Sequence, residues 1–294
     1  MNKVGFIGVG IMGKSMVRNL MKAGFELHIY ARTKSKVEDV IGEGAQFHES
    51  IKDCVQDFDA VITIVGFPQD VEEVYFDEGN ILDSAKEGAY LIDMTTTSPQ
   101  IAEKIYAEGT KRGFHVMDAP VTGGDTGAKA GTLSILVGGE KEDYEACMPL
   151  FEAMGTNINY QGKAGCGQHC KLANQIMIAG TLSGVCEALT YAKEQGLDPE
   201  VFMKSVATGA AGSKQLDTFG PKILKDDYAP GFFMKHFIKD MKLALIEANR
   251  KGLSLDVLSM VLANYEELEQ EGYGDLGTQA LMKFYDEEHR NTEE

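Results

Sequence analysis

The chain has 294 residues, 44% of them hydrophobic and 25% charged, which is ordinary for a globular protein and enough for two domains with substantial cores. A net charge of −17 argues against nucleic acid or an anionic membrane surface as a partner. No apolar run reads as long enough to cross a membrane, and the N-terminus passes straight into a strand pattern, so no signal peptide and a cytoplasmic location are expected.

An apolar strand pattern, Val4–Ile7, runs into Gly8-Val9-Gly10-Ile11-Met12-Gly13, a G-x-G-x-x-G turn. Met12, Met16, Val17, Leu20 and Met21 then recur at helical spacing, Gly24 is a stop signal, and Glu26–Tyr30 reads as a second strand. Each glycine has a physical task here. Gly8 permits a tight turn, Gly10 keeps side-chain bulk away from a pyrophosphate, and Gly13 lets the helix approach its strand. The helix start offers free N–H groups and a partial positive charge. The pattern predicts a dinucleotide cofactor held by Gly8, Gly10, Ile11, Met12 and Gly13.

The end of the second strand selects the cofactor. It reads Tyr30-Ala31-Arg32-Thr33-Lys34-Ser35-Lys36, with no carboxylate before Glu38 to hold a ribose 2′-hydroxyl. Arg32 can fork onto a phosphate and Thr33 can donate a hydroxyl. NADP(H) is therefore expected over NAD(H), with Ala31, Arg32 and Thr33 at the adenosine end. Lys34 reads as part of a solvated face.

Short apolar runs follow at Asp59–Val65, Ala89–Met94, His115–Pro120 and Leu133–Gly138, and Asn157–Tyr160 is a candidate closing strand. Their alternation with helical stretches is the βαβ rhythm of a doubly wound parallel sheet, an α/β Rossmann domain. The pattern changes near Gly162. From Gly167 to Gln195 no proline interrupts, and Leu172, Ile176, Ala179, Leu182, Val185 and Leu189 keep helical spacing. Fully helical, that stretch is a rod on the order of 40 Å long. Further helices follow, broken at Gly209–Gly212 and turned at Pro230-Gly231. The domains are set at 1–163 and 164–294, the second all-α, and the acidic tail after Tyr285 is expected to fray. Cys54, Cys147, Cys166, Cys170 and Cys186 read as reduced thiols. Cys166 and Cys170 flank His169, but no second ligand pair stands nearby, so no metal is expected.

Strand C-terminal ends face the ligand crevice of an open α/β sheet, which places Val65, Gly66 and Thr96 near the cofactor. Thr122-Gly123-Gly124 offers a hydroxyl and unobstructed backbone N–H groups, suited to a substrate carboxylate. Lys171 and Asn174 lie three apart and share a helix face. Taken in order, the glycine turn, Asp93-Met94-Thr95-Thr96-Thr97-Ser98-Pro99, Asp118–Leu133, Gly165–Asn174 and Lys239-Asp240 make the chain resemble the β-hydroxyacid dehydrogenase family, relatives of 3-hydroxyisobutyrate dehydrogenase and of glyoxylate/succinic semialdehyde reductases. The resemblance covers nearly the whole chain. It implies a 6-phosphogluconate-dehydrogenase-like helical C-terminal domain and a site between the domains that closes during turnover.

By that resemblance Lys171 is the catalytic residue and protonates the carbonyl oxygen as hydride arrives; in reverse it must act as a base, which burial beside another cation such as Lys239 would favour. Asn174 holds the substrate or Lys171. Lys239 approaches the nicotinamide and Asp240 supports it. Phe232 walls the pocket, and Gln175 and Asp240 join Thr122, Gly123 and Gly124 as substrate residues. Two departures bear on substrate identity: Gln175 stands where many members carry a second Asn, and Thr122 where they often carry Ser. Val65-Gly66-Phe67-Pro68 also lacks the acidic or small polar residues common there. The implied activity is NADPH-preferring interconversion of a small β-hydroxy acid, or a short hydroxy acid such as glycolate, with its semialdehyde or oxo acid, in a homodimer or homotetramer. An imine reductase usually has another residue in place of Lys171, and a non-catalytic cofactor-binding scaffold would have lost it. A 6-phosphogluconate dehydrogenase shares the layout, but this chain looks too short for its larger helical domain.

Overall fold

Along the central strands, alternate side chains enter two separate apolar layers. In β1 (Lys3–Ile7), Val4 and Phe6 join one layer and Ile7 the other; in β4 (Ala60–Thr63), Ala60 and Ile62 oppose Val61; in β5 (Tyr90–Asp93), Ile92 opposes Leu91. Strands apolar on both faces need cover on both. Helix α1 (Ile11–Lys22) brings Met16, Val17 and Leu20 to the first layer. The second is covered by α3 (Pro68–Phe76), through Val71, Val74 and Tyr75, and by α5 (Pro99–Lys111), through Ile105. The computed structural model describes residues 1–286; the tail expected to fray lies, from residue 287 onward, outside the described residues.

With β2 (Glu26–Tyr30), β3 (Gln46–Phe47) and β6 (His115–Asp118), the parallel strands stand in the order β3-β2-β1-β4-β5-β6. This is the doubly wound dinucleotide-binding order. Past β6 the sheet departs from the expected parallel run. β8 (Leu133–Gly138) pairs antiparallel with β6 and with β7 (Val121–Thr122), while β9 (Gly155–Gly162) pairs parallel with β8. The register runs on across Ala119 and Pro120, from Asp118 opposite Gly138 to Thr122 opposite Ser134, so β7 extends β6 in the same direction and β8 is the strand that reverses. Strand β4 also ends earlier than its apolar run. Val65 and Gly66 lie in the loop beyond Thr63, not at the strand's last residues.

The chain folds as two compact units, Met1–Lys171 and Leu172–Glu294, so the division falls inside the long helix α9 (Cys166–Glu194). The second unit is helical: α10 (Pro199–Val206), α11 (Lys214–Ile223), α12 (Met234–Arg250) and α13 (Asp256–Gln270) follow, and Phe233 and Gly277 form an isolated bridge. Its core joins Leu172, Ala179, Leu182, Cys186 and Leu189 of α9 to Phe237, Met241, Val261 and Tyr265. By length and composition α9 is apolar enough to cross a membrane, which corrects the expectation that no such run exists; its apolar stripe instead packs this core.

Candidate active site

The glycine turn has the geometry its sequence requires. Gly8 sits at φ +97°, and a Cβ there would come within 2.1 Å of the Ile64 carbonyl oxygen. A Cβ on Gly13 would meet the Gly8 carbonyl at 2.2 Å, so α1 starts against the strand it follows. At Gly10 a Cβ would meet no protein atom within 4 Å. That open space, in front of a helix start that no side chain caps, fits the pyrophosphate of a dinucleotide. Ile11 is exposed and Met12 half-buried at its edge.

At the end of β2, Ala31 is half-buried and Arg32 and Thr33 are exposed. Arg32 Nη1 lies 3.1 Å from Asp70 Oδ1, and Lys34 pairs with Glu49 at 3.0 Å. Asp70 belongs to the first turn of α3, where its other oxygen accepts from the Phe67 N–H at 2.9 Å. Nothing in the local sequence pattern marks Asp70 for this role.

The loop after β5 is built around a buried carboxylate. Asp93 Oδ1 accepts from Thr63 Oγ1 at 2.8 Å and from the Thr95 N–H at 3.1 Å, while Oδ2 has no hydrogen-bond partner. Thr95 Oγ1 accepts from the Val65 N–H at 3.0 Å, tying the two strand-end loops together. Thr96, half-buried, is the next residue. Burial pushes the Asp93 carboxyl up to about 6, against the hydrogen bonds from Thr95 and Thr63, and nearby Asp118 adds to the rise. A carboxyl with a raised folded value binds its proton more tightly native than unfolded. Stability therefore falls as pH rises from about 4 to about 6, by about 3 kcal/mol for a shift of this size. Urea titrations at intervals from pH 4 to pH 8 should show Asp93→Asn with a flatter profile than the parent across that window; superimposable profiles would contradict this assignment.

The start of α9 is fastened to the same strand ends. Asp118, the last residue of β6, accepts from the Gly165 N–H and the Gln168 N–H, each at 2.8 Å. Burial raises its carboxyl and these two bonds oppose the rise. Gln168, fully buried, donates from Nε2 to the Thr95 carbonyl at 2.7 Å and accepts at Oε1 from the Thr97 N–H at 3.0 Å. Gly167 is needed for the close approach, since a Cβ would meet the Leu136 carbonyl oxygen at 2.4 Å. Lys171 follows one turn later and is only 7% exposed. The contacts of Gln168 and Asp118 carry no signal in the sequence alone, because their partners are 47 to 73 residues away.

Thr122 ends β7 half-buried, and Gly123 and Gly124 follow at φ +132° and +65°. No atom would obstruct a Cβ on Gly124 within 4 Å. In the helical unit, Asn174 Nδ2 donates to Gln175 Oε1 at 2.8 Å, and Gln175 Nε2 donates to Asp240 Oδ2 at 2.6 Å. Lys239 Nζ lies 3.0 Å from the other oxygen of Asp240, which is fully buried. Both ends of the Gln175 amide are thus committed to protein, which suits it to orient Asn174. Phe232 is partly exposed, with its ring 6.4 Å from His236 and 6.0 Å from Phe237.

Residues 3–162 match the family model of the NAD binding domain of 6-phosphogluconate dehydrogenase. Residues 165–285 match the model described as NAD-binding of NADP-dependent 3-hydroxyisobutyrate dehydrogenase. The chain belongs to the 3-hydroxyisobutyrate dehydrogenase family. It is an oxidoreductase of that family, built to use a nicotinamide dinucleotide. Among its relatives is an uncharacterized oxidoreductase, YkwC, of Bacillus subtilis, 49% identical over 96% of this chain and 98% of that one. A probable mitochondrial 3-hydroxyisobutyrate dehydrogenase-like 1 protein of Arabidopsis thaliana is 44% identical over 95% of this chain and 84% of its own. The solved 3-hydroxyisobutyrate dehydrogenase of Mycobacterium tuberculosis with L-serine superposes with a TM-score of 0.88 at 26% identity, covering 96% of this chain and 98% of that one. The family assignment supports the resemblance read from the motif order, including its helical second domain.

Proposed function

We propose that this 3-hydroxyisobutyrate dehydrogenase relative reduces small carbonyl compounds that carry a carboxylate, with NADPH preferred, and that Lys171 is its general acid. The observation that carries the reading is a lysine with 7% exposure, one turn past a helix start that Asp118 and Gln168 fix to the strand ends. A rigid mount is what proton transfer to a substrate oxygen requires. The bound nicotinamide supplies the hydride. Lys171 delivers the proton to the carbonyl oxygen and receives it back when the hydroxy acid is oxidised. Asn174, on the same face of α9, hydrogen-bonds the reacting oxygen and is oriented by Gln175. Asp240 anchors Gln175 on one oxygen and Lys239 on the other; the family resemblance assigns Lys239 to the nicotinamide end.

The Thr122 hydroxyl and the backbone N–H groups at Gly123 and Gly124 take the substrate carboxylate, and Phe232 limits its length. Gly8, Gly10, Ile11, Met12 and Gly13 hold the pyrophosphate, Ala31, Arg32 and Thr33 the adenosine end, and Val65, Gly66 and Thr96 the ribose side of the nicotinamide. Exposed Met177 and Tyr191 on α9 support a homo-oligomer assembled through that helix.

Matched aldehydes test the carboxylate assignment. Succinic semialdehyde should be reduced with a kcat/KM about 100-fold above that of butanal, and Thr122→Ala should narrow the gap mainly through KM for the acid. Equal rates for the two aldehydes would overturn it.

A further inference from the structure

Sheet order gives the Arg32–Asp70 pair a particular place. β1 lies between β2 and β4, and the glycine turn leaves the end of β1. Arg32 comes from beyond the end of β2, and Asp70 from the helix that follows β4. Their contact at 3.1 Å therefore joins the two strand ends that flank the glycine turn. In a doubly wound sheet this is the side on which the adenosine ribose rests, and whatever lies on that ribose meets the pair.

We infer that Asp70 sets the selectivity between phosphorylated and unphosphorylated dinucleotides by competing for Arg32. The inference rests on the reading of Arg32 as the 2′-phosphate contact. Asp70 is fixed, because its second oxygen already accepts from the Phe67 N–H at 2.9 Å and its side chain is 16% exposed. Arg32 is the movable partner, with a side chain 70% exposed. A 2′-phosphate can engage Arg32 only by drawing it from Asp70, and it then places its own negative charge beside that carboxylate. An unphosphorylated ribose brings no charge and leaves the pair intact. The neighbouring cation Lys34 is engaged by Glu49 at 3.0 Å, so the competition centres on Arg32. Asp70 thus acts through Arg32 as a positioning residue that lowers NADP(H) affinity while sparing NAD(H).

Calorimetric titration of the full chain with NADP+ and with NAD+ tests this without turnover. Asp70→Asn keeps an oxygen for the Phe67 N–H and removes only the charge. It should tighten NADP+ about three- to tenfold, leave NAD+ within about twofold, and lose most of that gain at high salt. In an Arg32→Ala background the same change should have no effect on the ratio of the two affinities. An unchanged or reversed ratio in Asp70→Asn, with Arg32→Ala still weakening NADP+ selectively, overturns the inference and leaves the Arg32 reading standing. If Arg32→Ala weakens both cofactors equally or neither, that reading falls and takes the inference with it.

Discussion

Replacement of Lys171 by alanine should lower kcat about 10³-fold while NADPH affinity stays within about twofold of the parent, since a positioned acid–base group contributes roughly 10² to 10⁴. The separation of the two effects is the informative part. Lys171 is carried by α9, whereas the glycine turn belongs to the start of α1, so removing the lysine leaves that turn intact. Because the side chain is buried, truncation leaves a small void, and a thermal melt of the variant separates lost chemistry from lost fold. Lys171→Met, of similar length and uncharged, should be as inactive as the alanine variant if proton transfer is the missing function. Turnover near the parent rate in either variant would remove Lys171 from the reaction.

Asp118→Ala should be the most costly single change to the mount of that lysine. It strands the N–H groups of Gly165 and Gln168, both buried and both at the start of α9. The loss of a buried charged acceptor serving two donors is about 3 kcal/mol, equivalent to a Tm lower by roughly 6–12 °C for a domain of this size. Gln168 would also lose one of the contacts that hold it against Thr95 and Thr97, so kcat should fall about tenfold even where the protein is folded. Asp118→Asn retains one acceptor and should recover part of both losses. A melting temperature within a degree of the parent for Asp118→Ala would show that the helix start is held by other means.

The glycine turn was legible in the sequence because its geometry leaves no freedom of residue type: Gly8 and Gly13 abut backbone carbonyls. The order of the later motifs was legible as a resemblance, and the family assignment agrees with it. Strand direction was not legible, because Leu133–Val137 reads as the same apolar run whether β8 lies parallel or antiparallel to its neighbour. Strand ends were legible only to within two residues, since Ile64 and Val65 stay apolar after pairing with β5 stops. The contacts of Asp118, Gln168 and Asp70 join residues between 38 and 73 positions apart, except for the local bond from Phe67 to Asp70, and no local periodicity carries such pairings. Gln175 reads by analogy as a substrate contact, while its two hydrogen bonds give it the means to orient Asn174.

The most direct test of the account is the decrease in absorbance at 340 nm as the purified chain oxidises NADPH against glyoxylate, succinic semialdehyde, methylmalonate semialdehyde, tartronate semialdehyde and one cyclic imine, each repeated with NADH. The account predicts turnover of at least one semialdehyde or oxo acid, faster with NADPH than with NADH, and none of the imine. Reduction of the imine alone, or no turnover of any carboxylate-bearing carbonyl by a protein that binds NADPH tightly, would contradict it.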